Sequence, residues 1–268
     1  MTPINYCYEK IAAQGSPLYF CIKKISADKR DGVVAIATFY QELMDVILNG
    51  TDPAVSASQF NWWRNEVLQL MQGSPDHPAT IALKQTQVNP ERLLDVIDGL
   101  EQNLNLPVFD TFETVVIHIM RTAGVRELMF ANVLDLKISK ELIYQLTIVL
   151  ELVNYIQYLR SYIRRDLIYF PADEMQKFNV SPESLHAFKT TPEIIHLLEY
   201  QVEKIDRAYQ KACAELTPEM KEQLSYTLSR CDIARATLQE IQSSGFSVLE
   251  NFIQLTPLRM WWIAYRTK

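Results

Sequence analysis

ELIYQLTIVLELVNYIQYLRSYIRRDLIYFP, residues Glu141 to Pro171, reads as one helix of roughly seven turns or more, closed by Tyr169, Phe170 and Pro171. Asn154, Tyr158 and Tyr162 fall at i, i+4 and i+8, so they form one stripe along a single face. No carboxylate occurs between Leu152 and Arg165. A long, mostly apolar helix of this kind points to an all-α protein, and the flanking sequence agrees.

Outward from this stretch, helix-start signals recur. Asn89-Pro90-Glu91, Ser181-Pro182-Glu183, Thr191-Pro192-Glu193 and Thr217-Pro218-Glu219 each set a capping side chain before a proline. Proline suits the first helical position, and the glutamate suits the positive end of the helix dipole. With Asp28 and the Asp52-Pro53 turn, these signals predict about ten helices. The predicted spans are roughly 4–14, 18–25 and 28–49, one that ends near Gly73, 77–87, 90–104, 109–123 and 125–135, then the long helix, then 192–216, 218–243 and one from Pro257. Val33 to Tyr40 is β-branched enough for a strand, but the helical phase runs on through Leu43, Ile47 and Leu48. Phe60, Trp63, Val67 and Leu70 share one face. No linker or repeat divides the chain, so residues 1–268 are expected to form a single-domain helical bundle.

Composition excludes several classes. Seven glycines in 268 residues and 48% hydrophobic content disfavour a turn-rich β fold. The net charge of −6, without a basic run longer than two, argues against nucleic acid as a partner. Cys7, Cys21, Cys213 and Cys231 show no CxxC pairing and suit core packing in a reducing compartment. No apolar run approaches the ~20 residues that span a bilayer, and the start shows no secretory signal. A cytoplasmic protein, peripheral to a membrane at most, is expected.

Several short words occur in one order: GSPLYFCIKKISADKR at 15–30, WWRNEV at 62–67, HP at 77–78, LLDVIDGLEQNL at 93–104, TFE at 111–113, RTAG at 121–124 and VNYIQYLRSYIRRDLIYFP at 153–171. Together they resemble the squalene/phytoene synthase family over roughly residues 6–267. The resemblance implies an all-α bundle of the isoprenoid synthase type. It also implies head-to-head joining of two allylic prenyl diphosphates. That reaction needs magnesium held by two acidic motifs on facing helices, because ionisation concentrates negative charge on the departing diphosphate.

The same resemblance marks where this chain departs from the pattern. The family's first acidic motif falls on Met44, Asp45 and Leu48, so Asp45 is the only motif acid retained. The second falls on Tyr158 and Tyr162. The aligned arginines are Gln41 and Gln157. With Glu42 and Asn154, these positions make up the expected vestigial metal and substrate site, with no metal ligand set, no intact catalytic residue and no cofactor expected. Glu42 and Asp45 are i, i+3, a spacing that suits one water-bridged magnesium or, as the plainer expectation, a solvated or ion-paired helix face. Asp166, Asp173 and Glu174 lie past the motif.

Other candidates have plain readings. Tyr155, Tyr158, Tyr162 and Tyr169 are expected to pack their rings. Arg160 and Arg164 are expected on a surface face or in ion pairs, although they could hold an anion. His118 in VVIHIM is expected in the core, and His77 in a turn; His186 and His196 have no ligand-spaced partner. In PLRMWWIAYRTK, Leu258, Trp261, Trp262 and Tyr265 share a face flanked by Arg259, Arg266 and Lys268. That face either closes the bundle, which is the expectation, or rests on a membrane interface through Trp261 and Trp262.

Two functional readings follow, beside a third in which the chain is a lipid-binding peripheral membrane protein acting through Trp261 and Trp262. In the first, the chain keeps the bundle without the condensation and serves as an assembly or scaffold factor, or binds an apolar, isoprenoid-like ligand or a protein partner. The family includes a mitochondrial complex I assembly factor with eroded acidic motifs. In the alternative, the chain is an active prenyl transferase of the squalene, dehydrosqualene or phytoene synthase type, with a rearranged magnesium site.

Overall fold

The computed structural model describes residues 1–50, 52–86 and 88–267, so Lys268 lies outside the described residues. Sixteen α-helices follow one another, and no strand occurs among the described residues. The first eight are α1 (Pro3–Ile11), α2 (Pro17–Cys21), α3 (Ala27–Asn49), α4 (Pro53–Met71), α5 (Pro78–Lys84), α6 (Pro90–Glu101), α7 (Phe112–Arg121) and α8 (Ala123–Val133). The rest are α9 (Lys140–Gln157), α10 (Leu159–Ile163), α11 (Ala172–Lys177), α12 (Pro182–His186), α13 (Pro192–Ala214), α14 (Pro218–Gln223), α15 (Ser225–Ser243) and α16 (Pro257–Arg266).

The four proline-marked starts form as their chemistry requires. Asn89, Ser181, Thr191 and Thr217 accept from the backbone N–H of Glu91, Ser184, Ile194 and Met220. Each cap satisfies a donor that the first turn leaves open. Asp52 does the same for Ala54 at the start of α4. The β-branched run 33–40 is helical inside α3, where Val33, Val34, Ile36 and Phe39 are fully buried.

α9 is the centre of the bundle and packs against α7, α8, α13 and α15. Leu146, Val149, Val153 and Ile156 are buried on it, each worth about 1.5–3 kcal/mol against exposure. The second layer is α3, held between α1, α5 and α8. Two of the quoted words have packing explanations. A Cβ at Gly99 would stand 2.5 Å from the Arg121 carbonyl oxygen, so glycine lets α6 cross the end of α7. Glu66 Oε1 accepts from the backbone N–H of Asp76 (2.8 Å) and His77 (2.7 Å), which fastens the His77-Pro78 turn onto α4.

Three expectations are corrected. The stretch 141–171 is not one helix. It breaks at Tyr158 (φ −99°, ψ 15°) and α10 ends at Ile163. Asp166 then takes a left-handed φ of 56° and turns the chain, so Tyr169 stacks back on Tyr155 at 4.1 Å between centroids and 7° between planes. The helix expected over 218–243 likewise breaks at Leu224. Finally, α16 does close against α2 and α15, but through Met260 and Ala264. Its aromatic face lies on the opposite side, with Trp261 42% and Trp262 48% exposed.

Candidate functional site

Three helices each direct one stripe at a common cavity of about 450 Å³. α3 supplies Ala37, Tyr40, Gln41, Met44 and Leu48; α9 supplies Leu150, Glu151, Asn154 and Gln157; α15 supplies Tyr226, Arg230, Ile233, Ala234 and Thr237. Tyr158 at the helix break, Tyr162 of α10, Arg126 and Phe130 of α8, Leu18 of α2 and Met260 of α16 complete most of the wall. The size lies within the ~300–1,000 Å³ usual for small-molecule pockets.

Seven of the nine positions singled out in the sequence therefore meet at one cavity: Gln41, Met44, Leu48, Asn154, Gln157, Tyr158 and Tyr162. Glu42 and Asp45 do not line it. They lie round α3 toward α1, where Lys10 Nζ reaches Glu42 Oε1 (2.9 Å) and Asp45 Oδ2 (2.8 Å). Gln41 Nε2 also donates to Asp45 Oδ1 at 2.8 Å, and the Tyr6 hydroxyl donates to Glu42. Burial first, then the Glu42 carboxylate, push the Tyr6 phenol up to about 12.

The later acids are also engaged elsewhere. Asp166 Oδ1 lies 2.7 Å from His186 Nε2. Glu174 takes Lys204 at 2.5 Å and Gln201 at 2.7 Å. The arginines after the break are anchored to backbone: Arg160 donates to the Leu249 carbonyl, and Arg165 Nε to the Leu48 carbonyl at 2.6 Å. Arg164 is exposed. Gln157 Nε2 donates to the Ile253 carbonyl at 2.9 Å.

The phenols pack as expected. Tyr162 is 6% exposed and meets Tyr155 and Tyr169 edge-on, while Tyr169 donates to Asn103 Oδ1 at 2.7 Å. Tyr158 is 38% exposed against Phe252. Burial raises Tyr155 and Tyr162 well above the usual phenol range, so both remain neutral. His118 stacks on Tyr169, and burial drives its imidazole down to about 4.

Sequence reasoning missed a buried ion cluster. Arg126 donates through Nε and Nη2 to Glu127 Oε1 (3.0 and 2.8 Å), and through Nη2 to Glu151 Oε1 (2.9 Å). Arg230 grips both oxygens of Glu127, at 2.7 and 2.9 Å. Attraction to the two arginines outweighs the burial that would raise the Glu127 carboxyl, so it sits below the usual carboxylate range. Two arginines and two glutamates leave the cluster neutral. A signal was present: Glu151 lies on the Asn154 stripe, one residue before the acid-free run begins. Arg126-Glu127 likewise interrupts an apolar helix.

A family model described as squalene/phytoene synthase matches residues 11–262. The chain belongs to the squalene/phytoene synthase family. It is 22% identical over 266 residues to a phytoene synthase of Arthrospira platensis, covering 90% of this chain and 84% of that protein. The chloroplastic phytoene synthase of Daucus carota is 22% identical over 227 residues, but the match spans only 57% of its length, against 79% of this chain. Among solved structures, a dehydrosqualene synthase in complex with ligand superposes with a TM-score of 0.81 at 16% identity, covering 99% of this chain and 95% of that one. A squalene synthase from Alicyclobacillus acidocaldarius gives 0.70 at 14% identity, over 91% and 94% of the two chains. These likenesses establish the isoprenoid synthase fold.

The family resemblance brings magnesium with it, and the residues present can be tested against it. Magnesium takes hard oxygen ligands, mostly carboxylates and water. Where the sequence resemblance puts the acidic motifs, the cavity wall carries a thioether (Met44), an alkyl chain (Leu48) and two phenols (Tyr158 and Tyr162), and Asp45 is paired with Lys10 away from it. Glu151 is the single carboxylate on the described wall, and it is bonded to Arg126. The donor set does not fit magnesium.

Proposed function

We propose that this member keeps the bundle and cavity of its family without the magnesium-dependent condensation of prenyl diphosphates, and that the cavity holds an apolar molecule. One observation carries the reading. Met44 and Leu48 on α3, with Tyr158 at the break after α9 and Tyr162 on α10, line one cavity where the reaction requires opposed carboxylates. The described wall supports it further, because its two cations are Arg126 and Arg230 and both are bonded to glutamates. A diphosphate would meet neither metal nor free positive charge. A scaffold or assembly role is compatible with the same loss.

The test is incubation of the purified chain with geranyl, farnesyl and geranylgeranyl diphosphates and Mg²⁺, with assay of pyrophosphate and hydrocarbon. The expected result is neither product; turnover of any of the three overturns the reading in favour of a transferase with a rearranged site.

A second element concerns where the protein works. No helix among the described residues is long and apolar enough to cross a membrane. Leu258, Trp261, Trp262 and Tyr265 are nevertheless exposed together on α16, and Arg266 lies 5.6 Å over the Trp262 ring. An aromatic face with a basic edge suits the water–lipid boundary. The same short helix puts Met260 into the cavity wall. This supports peripheral contact with a lipid surface, from which an apolar ligand could pass.

A further inference from the structure

The cavity wall contains a polar group that neither the fold nor the ion cluster uses. Tyr226 of α15 lines the cavity and is 2% exposed, and its hydroxyl is buried without a hydrogen-bond partner. Its ring is well fixed, edge-on to Phe130 at 6.0 Å and beneath the Arg230 guanidinium at 5.3 Å. A buried hydroxyl left unpaired is costly, and native proteins rarely carry one without a reason. Glu127, which accepts from Arg126 and Arg230, makes no hydrogen bond with it. Burial raises Tyr226 above the ordinary phenol range, so it keeps its proton and remains a donor.

What the hydroxyl would donate to is limited by charge. The charged groups of the described wall are Arg126, Arg230 and Glu151, and Glu127 behind them brings the sum to zero. An anionic head would need arginines that are already paired, and desolvating it without them is prohibitive. A cationic head meets the same difficulty with the glutamates. The other polar lining groups, among them Gln41, Asn154, Gln157 and Thr237, are neutral. Leu18, Met44, Leu48, Phe130, Ile233 and Met260 provide apolar wall for a hydrocarbon body.

We propose that the cavity takes a neutral, oxygen-terminated apolar molecule of terpenoid size, such as a prenyl alcohol or its carbonyl counterpart, whose uncharged oxygen displaces the side chains covering the Tyr226 hydroxyl and accepts from it. This rests on the reading of the cavity as an apolar-ligand site and names the ligand class.

The test uses four matched fifteen-carbon probes with the purified full chain: farnesol, farnesene, farnesoate, and farnesyl diphosphate with Mg²⁺. Binding is measured by calorimetry and by the rise in unfolding temperature. Farnesol is expected to bind about fivefold or more tightly than farnesene, the increment of one net hydrogen bond, and more tightly than either anion. Tyr226→Phe should abolish the advantage of farnesol over farnesene and leave farnesene affinity in place. Because that change deletes an unpaired buried hydroxyl, the ligand-free variant should unfold at the same temperature or higher. Equal binding of farnesol and farnesene, or an unchanged preference in Tyr226→Phe, overturns oxygen recognition while the apolar-ligand reading stands. Tighter binding of farnesoate or farnesyl diphosphate also overturns it. Turnover of the diphosphate removes the non-catalytic reading instead, and no binding of any probe removes both.

Discussion

Lys10 of α1 holds Asp45 of α3 at 2.8 Å and reaches Glu42 at 2.9 Å, so Asp45 serves helix packing rather than the cavity. All three side chains are at most about a third exposed. Lys10→Met keeps the aliphatic stem, removes the ammonium and leaves two carboxylates side by side; a loss of about 1–2 kcal/mol is expected. The pH dependence has a definite sign. Burial opposes the Lys10 charge, but its hydrogen bonds to the Asp45 and Glu42 carboxylates more than offset it and raise its pKa. Tyr6 is also raised, to about 12. The folded protein thus keeps protons that the unfolded chain releases, so this stability is full below about pH 10 and is lost as pH rises further. Urea midpoints at pH 8 and pH 11 should differ in wild type and differ less in Lys10→Met. Equal differences in the two proteins would exclude the triad as the cause.

His118 has the opposite sign. Burial first, then Arg121, bring its folded value down to about 4 from an ordinary 6.5. Below pH 6.5 the unfolded chain takes up a proton that the folded chain refuses, so stability falls as pH drops from 6.5 toward 4. Between pH 7 and pH 5 this amounts to about 2 kcal/mol. His118→Phe should flatten that limb of the stability curve. A variant with the same acid slope as wild type would show that other groups control it.

How far the sequence could be read depended on the range of the interactions. The caps at Asn89, Ser181, Thr191 and Thr217 were legible because each side chain meets a backbone N–H two or three residues on. The helical phase of α3 was legible through its β-branched run for the same local reason. The end of α10 was not, because it depends on Tyr169 returning to stack on Tyr155. Nor was the Arg230–Glu127 pair, whose members are 103 residues apart. The outward aromatic face of α16 could not be assigned either, since Met260 and Ala264 have an equally regular spacing and only packing selects between the faces. At the cavity, periodicity grouped Asn154, Tyr158 and Tyr162. It was the family resemblance that pointed across to Met44 and Leu48.

Glu127 carries the ion cluster, so removing its charge should be severe. Glu127→Gln keeps the shape but leaves two buried guanidiniums facing Glu151 alone, and the expected cost is about 3–5 kcal/mol. Replacing the gripped pair together, Glu127→Met with Arg230→Met, leaves the neutral Arg126–Glu151 pair and should recover much of that loss. Chemical denaturation of the single and double variants measures both. A double variant no more stable than the single one would mean that the cluster's contribution is not a matter of charge balance.

The exposed face of α16 can be separated from the fold because its tryptophans do not support the core. Trp261 and Trp262 are 42% and 48% exposed and pack mainly on each other and on Tyr265. Trp261→Ala and Trp262→Ala should therefore change unfolding stability by no more than about 0.5 kcal/mol. If the face rests on lipid, each tryptophan transfers apolar area out of water, and its loss should weaken vesicle binding by roughly tenfold. The measurement is co-sedimentation with phosphatidylcholine vesicles, with and without phosphatidylglycerol. The anionic lipid should strengthen wild-type binding through the basic edge at Arg266, and added salt should reverse that gain. Sedimentation that ignores both tryptophans would place any lipid contact elsewhere on the bundle.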